Sequence, residues 1–146
     1  MKQKGFTLLE LLIVISILGI LASFVLVVFP SAQKRARDAR RRSDVKQYQT
    51  SLEVYSGRVG SYPSGSGDMT SKCSALGLSG ATCPDDPQAL NRYQYQVNAA
   101  QTEYVIWTRL EDKDKQGNTQ YYVVCSNGAA ADVVSGIPPL GGNCPL

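Results

Sequence analysis

The chain has 146 residues, no histidine and a formal net charge of +3, which leaves room for one modest domain beside any long helix. Without histidine the commonest general base, proton shuttle and zinc ligand are missing. No nucleophile–base pair can be assembled from its Ser, Thr and Cys residues, so enzymatic chemistry is not expected.

Residues 1–5, Met-Lys-Gln-Lys-Gly, are short and basic, and residues 6–29 are almost wholly apolar. A run of about 24 residues makes a helix about 36 Å long, enough to span a bilayer with some tilt. An ordinary secretory signal has an apolar core of roughly 7–15 residues followed by a small-residue cleavage site. This run is longer, and no such site precedes the arginines, so a retained transmembrane helix is expected. Glu10 interrupts it among Leu8, Leu9, Leu11 and Leu12. A carboxylate in a membrane helix costs a few kcal/mol on insertion scales and normally has a partner. One tolerated near the headgroups, or protonated, is the plain alternative. Cleavage after Gly5 would make the α-amino group of Phe6 a cation near neutral pH. A neighbouring helix shifted along its axis could present that amine to Glu10 and set the register between subunits.

After Pro30, residues Ala32, Ala36, Ala39, Val45, Tyr48, Leu52 and Tyr55 recur at mostly three- and four-residue steps, an amphipathic stripe. Proline inside a helix kinks it rather than always ending it. One long bent helix is therefore expected from about Phe6 to about Gly57, on the order of 75–80 Å, with Gly57 and Gly60 stopping it. It carries a basic collar of Lys34, Arg35, Arg37, Arg40, Arg41 and Arg42. Residues 34–46 hold seven Lys/Arg against two Asp, whereas residues 51–146 hold six Lys/Arg against nine Asp/Glu. Each basic residue near an anionic surface contributes about 1 kcal/mol. Lipid headgroups, acidic groups of neighbouring subunits and DNA are the candidate partners, DNA least favoured because aromatic interleaving is weak.

Residues 60–87 are rich in Gly, Ser and Pro, which denies long regular structure. The cysteines, Cys73, Cys83, Cys125 and Cys144, form no CxxC, which argues against a zinc ribbon or a thioredoxin-type site. An even number behind an export-like segment reads as two disulfides, with four free thiols as the alternative. Of the three connectivities, Cys73–Cys83, closing the Gly/Ser-rich loop, and Cys125–Cys144, tying the tail to a strand, are preferred. Three strands are expected over residues 92–97, 103–110 and 120–125, rich in Tyr, Val, Ile and Trp. The last two flank a hairpin loop at 111–118, where Asp112, Asp114 and Asn118 offer oxygen ligands that calcium could use. That loop lacks the glycine and terminal glutamate of an EF-hand and carries two lysines. From residue 126 the tail reads as coil.

Gly5-Phe-Thr-Leu-Leu-Glu10-Leu-Leu-Ile-Val behind a basic leader resembles the prepilin signal of type IV pilins and type II secretion pseudopilins. The resemblance implies that a membrane aspartyl prepilin peptidase cuts between Gly5 and Phe6 and N-methylates Phe6. It gives Glu10 the role of neutralising a neighbour's N-terminus. Gly19 matches the glycine at which many pilin helices loosen on assembly, while Pro30 sits later than the usual proline. Tyr62-Pro63, Asp86-Pro87 and Tyr93-x-Tyr95 are similar to motifs of the major pseudopilin group. Calcium in some pseudopilin heads is a further property of the family.

Together these readings imply an α+β, pilin-like fold: a leader at 1–5, a transmembrane and polymerisation helix at 6–29, and an amphipathic helix at 30–58. A head at 59–146 follows, with about three antiparallel strands. The expected function is a structural subunit of a type IV pilus. A secretion pseudopilin, a minor pilin for adhesion or DNA capture, and an unrelated single-span sensor are the alternatives. The expected partners are other copies of the chain in a helical homopolymer, the prepilin peptidase, an inner-membrane assembly platform and the membrane itself. Charge bias alone would keep the basic collar in the cytoplasm; the cysteines and the resemblance place the head outside.

Overall fold

The computed structural model describes residues 5–89, 92–134, 144 and 146. The chain divides into two compact units, Met1–Lys34 and Arg35–Leu146. One helix, α1 (Leu8–Val59), contributes to both.

In the first unit α1 starts at Thr7, whose carbonyl accepts the first helical hydrogen bond, from Leu11 N–H. Its large apolar side chains are exposed, from 83% at Phe6 and Leu8 to 46% at Val14. A helix that is apolar all round is stable only when lipid or protein covers it. The hydroxyls of Ser16, Ser23 and Ser31 donate back to the carbonyls of Leu12, Ile20 and Val28 at 2.8, 2.6 and 2.9 Å, so they demand no outside partner. Among the described residues no single helix is long and apolar enough to cross a membrane. Leu8–Phe24 and Val28–Val59, taken together across the short break between them, pass by length and composition.

In the second unit α1 runs on through Gly57 and ends at Val59, later than expected. Gly60 stops it with φ +83, its N–H bonded to Ser56 O at 2.7 Å. That left-handed backbone is why glycine stands there. The sheet has five strands where three were expected: β1 (Gly67–Asp68), β2 (Gln94–Val97), β3 (Tyr104–Lys113), β4 (Thr119–Cys125) and β5 (Ala130–Val133). They lie in chain order, each antiparallel to the next. Ala130–Val133, read as coil, is a strand because β4 supplies its ladder: Tyr121 pairs with Val133 and Val124 with Ala130.

Alternation along β3 sorts the head into two apolar clusters. Tyr104, Ile106 and Leu110 face the larger one, with Val45, Tyr48 and Leu52 of α1. Val105, Val123 and Cys125 form the smaller, flanked by Trp107, Tyr121 and Cys144. The disulfides are Cys73–Cys83 and Cys125–Cys144. The first lies against the larger cluster and the second against the smaller.

The expected helical stripe needs one correction. Ala32, Ala36 and Ala39 are exposed, and the buried line instead runs Asp38, Arg41, Val45, Tyr48, Leu52. Those steps of three and four residues continue the apolar face into two charged side chains. Burial of charge is tolerated only with partners, and α1 finds them on the head.

Candidate functional site

Thr7 caps the N-terminus of α1. Its backbone N–H and its hydroxyl both donate to Glu10 Oε2 at 2.9 Å, and Glu10 N–H donates to Thr7 Oγ1 at 3.2 Å. This reciprocal pattern is a capping box, in which a Ser/Thr and a Glu three residues later satisfy helix donors that have no intrahelical acceptor. Its signature, Thr7-x-x-Glu10, stands in the sequence, although the box is not among the expectations above. The glutamate therefore has a local partner within its own helix.

Thirty residues on, five charges meet in the head. The Arg41 guanidinium, 0% exposed, donates through Nε to Asp86 Oδ2 at 2.6 Å and through Nη2 to Asp86 Oδ1 at 3.2 Å. Its Nη1 reaches Asp38 Oδ1 at 2.8 Å and Glu111 Oε1 at 2.7 Å. Glu111 in turn takes a fork from Arg37, 2.7 Å from Nε and 2.6 Å from Nη2. Burial opposes the charge of Arg41, but its three carboxylates more than offset this and hold it above its ordinary pKa.

The sheet explains why an aspartate belongs at position 38. The β3–β4 register shifts between Arg109 and Lys113, and such irregularities leave backbone donors without a strand partner. Asp38 accepts from Glu111 N–H at 3.0 Å to each oxygen and from Asp112 N–H at 2.8 Å. Asp86 likewise turns its own loop, accepting from Gln88 N–H at 2.8 Å. Tyr93 donates to Asp44 at 2.6 Å, and Tyr104 to Glu53 at 2.9 Å. Burial first, then these carboxylates, push both phenols up, so they remain donors. Among the described residues no buried side-chain nitrogen or oxygen lacks a hydrogen-bond partner.

The basic collar is thus divided, with Arg37, Arg41 and Arg42 turned to the head and Lys34, Arg35 and Arg40 exposed. Arg37 and Arg41 are taken up in the cluster; Arg42 pairs with Asp132 at 2.8 Å and lies 5.7 Å from the centre of the Tyr122 ring. Arg35 and Arg40 make looser pairs with Asp112 and Asp44 at 3.8 and 3.7 Å, and Lys34 is exposed. The physical reason for the inward part is charge balance: Glu111, Asp86 and Asp132 of the head face Arg37, Arg41 and Arg42 from within the same chain.

At the hairpin, β3 extends through Lys113, so the turn is shorter than the expected loop. Asp114 Oδ1 accepts from Gln116 N–H and Asn118 N–H, and Oδ2 from the Asn118 amide. The Asp114 oxygens weighed for calcium thus accept from protein donors, while Asp112 lies in a loose pair with Arg35 at 3.8 Å. Among the described residues no group of three His, Cys, Asp or Glu is placed to hold a metal.

The cluster makes the head sensitive to acid in a defined window. Hydrogen bonds from Arg37 pull the Glu111 carboxyl down from 4.5 to about 2; partial burial opposes them and Arg41 adds to them. A carboxyl lowered on folding stabilises the fold above its unfolded pKa and loses that contribution as pH falls to the folded one. Melting temperature should therefore hold level down to about pH 4.5 and decline between there and about 2. Glu111→Gln should melt earlier at pH 7 and show a shallower decline; an unchanged decline would assign the acid transition to other groups.

Residues 1–26 match the family described as "Prokaryotic N-terminal methylation motif". The chain is 38% identical over 63 residues to type II secretion system core protein G of Pectobacterium carotovorum subsp. carotovorum, covering 43% of this chain and 40% of that protein. It is 29% identical over 99 residues to type IV major pilin protein PilA of Myxococcus xanthus, covering 68% of this chain and 39% of that one. Type IV major fimbrial protein FimA of Dichelobacter nodosus is 41% identical over 52 residues, covering 36% and 33%. The matches span about 40% or less of these relatives' lengths. No solved structure is significantly similar to the chain.

Proposed function

We propose that this chain, a member of the pilin and pseudopilin family by its N-terminal motif and its relatives, is a filament subunit stored in a membrane and assembled through the apolar half of α1. The observation that carries the reading is the coincidence of the methylation motif with a helix half whose large apolar side chains are exposed. Such a surface requires lipid before assembly and neighbouring helices after it. On this reading a prepilin peptidase cuts after Gly5 and methylates Phe6. The Thr7–Glu10 box holds the carboxylate until a neighbour's N-terminus replaces Thr7 as its partner. The subunit works outside the cytoplasm, in keeping with its two disulfides.

A pilus subunit is the first form of the proposal. A type II secretion pseudopilin is the second, favoured by one observation: each of the pseudopilin-like motifs supplies a residue that does structural work. Pro63 O accepts from Tyr95, Asp86 from Arg41, and Asp44 from Tyr93. Deleting the gene separates the two, abolishing surface fibres in the first case and export of folded proteins in the second.

Intact mass and N-terminal sequencing of protein from its native envelope test the shared reading. A chain beginning at methylated Phe6 and about four hydrogen atoms lighter than its fully reduced mass is expected, two for each disulfide. A chain beginning at Met1 with free thiols would overturn it. Glu10→Ala should insert at least as well as wild type, since a charge leaves the apolar run, yet assemble poorly. Normal fibres from that variant would rule out the pairing step.

A further inference from the structure

From Val45 onward the buried side chains that α1 sets against the head are Val45, Tyr48 and Leu52, with polar contacts such as Tyr104 to Glu53 beside them, but residues 35–44 are held differently. Their buried members are Asp38 and Arg41, and their contacts are ionic or hydrogen-bonded. These contacts converge from four separate parts of the head: Asp86 in the loop before β2, Tyr93 beside β2, Glu111 and Asp112 at the end of β3, and Asp132 in β5. Apolar contact is non-directional and tolerates sliding. Forked guanidinium–carboxylate bonds do not. Slipping a helix by one residue shifts each side chain by about 1.5 Å along the axis and turns it by about 100°. That would break the contacts of 2.6–2.7 Å that Arg37 and Arg41 make to Glu111 and Asp86, and those of Asp38 to the amides of Glu111 and Asp112.

Buried ion clusters contribute little net stability against a well-packed apolar alternative, and their best-attested use is to specify one geometry. We propose that Arg37, Asp38, Arg41, Asp86 and Glu111 form a register lock, which sets the axial and rotational position of α1 residues 35–44 on the head. Subunit assembly depends on this lock more than folding does. The inference rests on the filament reading: when subunits are joined through the apolar part of α1, the placement of each head on its helix decides whether successive heads fit. Arg37 and Arg41 are then positioning residues rather than contacts to a partner.

The test uses the full chain carrying Arg37→Met with Glu111→Met, which removes one fork while Arg41 keeps Asp38 and Asp86. In detergent-solubilised, unassembled subunits, amides of residues 36–44 should exchange with deuterium at least tenfold faster. Trp107 emission, and exchange across β4 and the Tyr104–Leu110 part of β3, should match wild type. Fibre yield in the parent cell should fall at least tenfold. Unchanged exchange at 36–44 would overturn the lock, and wild-type fibre yield despite faster exchange would overturn its role in assembly. Should the double variant lose its Trp107 signature, Arg37→Lys decides: it keeps the charge and loses the fork. Poor assembly by that variant supports a geometric lock, and full assembly overturns it. Absence of fibres from wild type would instead count against the filament reading, leaving the exchange experiment to judge the lock alone.

Discussion

Arg41→Ala should destabilise the head by about 3–5 kcal/mol, because removing one partner of a buried ionic group leaves the others uncompensated. Here the residue removed is the common one. Asp86 loses both of its guanidinium bonds, Asp38 loses its Nη1 contact, and Glu111 keeps only Arg37. Asp38 still accepts the two β3 amides, so the end of β3 should keep part of its anchor while the Asp86 loop swings free. For a head of this size the loss corresponds to a drop in melting temperature of roughly 10–20 °C. Differential scanning calorimetry at pH 7 measures it. A drop below about 4 °C would mean that water reaches the cluster and solvates the stranded carboxylates. The same variant should stay closer to wild type near pH 2, where Glu111 is itself becoming protonated.

Breaking the Cys125–Cys144 bond is expected to cost about 3 kcal/mol, the chain-entropy value for a closed loop of this order. The bond joins residues 19 apart and lies against the smaller apolar cluster, beside Val105, Val123 and Trp107. Trp107 is the single tryptophan, so its fluorescence reports on that cluster without ambiguity. Cys144→Ser should shift the denaturation midpoint downward and move the Trp107 emission to longer wavelength. The larger cluster around Tyr48, clamped by Cys73–Cys83, should still unfold cooperatively. An unchanged midpoint and emission would mean that the strands alone protect that face of the sheet.

Much of the architecture was legible because it is local. An almost wholly apolar run from Phe6 to Phe29 reads as a covered helix, whichever surroundings cover it. Val45, Tyr48 and Leu52 declare their buried face by spacing, and β3 declares two faces by alternation at Tyr104, Val105, Ile106 and Trp107. Gly60 was one of two glycines expected to end α1, and the structure uses it rather than Gly57, since only Gly60 takes the left-handed backbone. The capping box at Thr7 and Glu10 is just as local, but it was not expected from the sequence.

What the sequence by itself determined, then, was the set of elements whose reasons lie within a few residues of themselves: the apolar helix half, the buried stripe from Val45 onward, and the three central strands. Only the tertiary structure decided the rest. Asp38 and Arg41 carry on the same helical spacing, but a charged residue on a helix reads as solvated until its partners are known. Those partners lie 45 residues away at Asp86 and at least 70 residues away at Glu111. Ala130–Val133 has no strand composition of its own and becomes β5 because β4 offers it a ladder. The basic collar followed the same rule. Arg37 and Arg41 look free along the chain, and folding brings Glu111 and Asp86 of the head against them, because a charge taken out of water must find its opposite, while Lys34, Arg35 and Arg40 stay exposed.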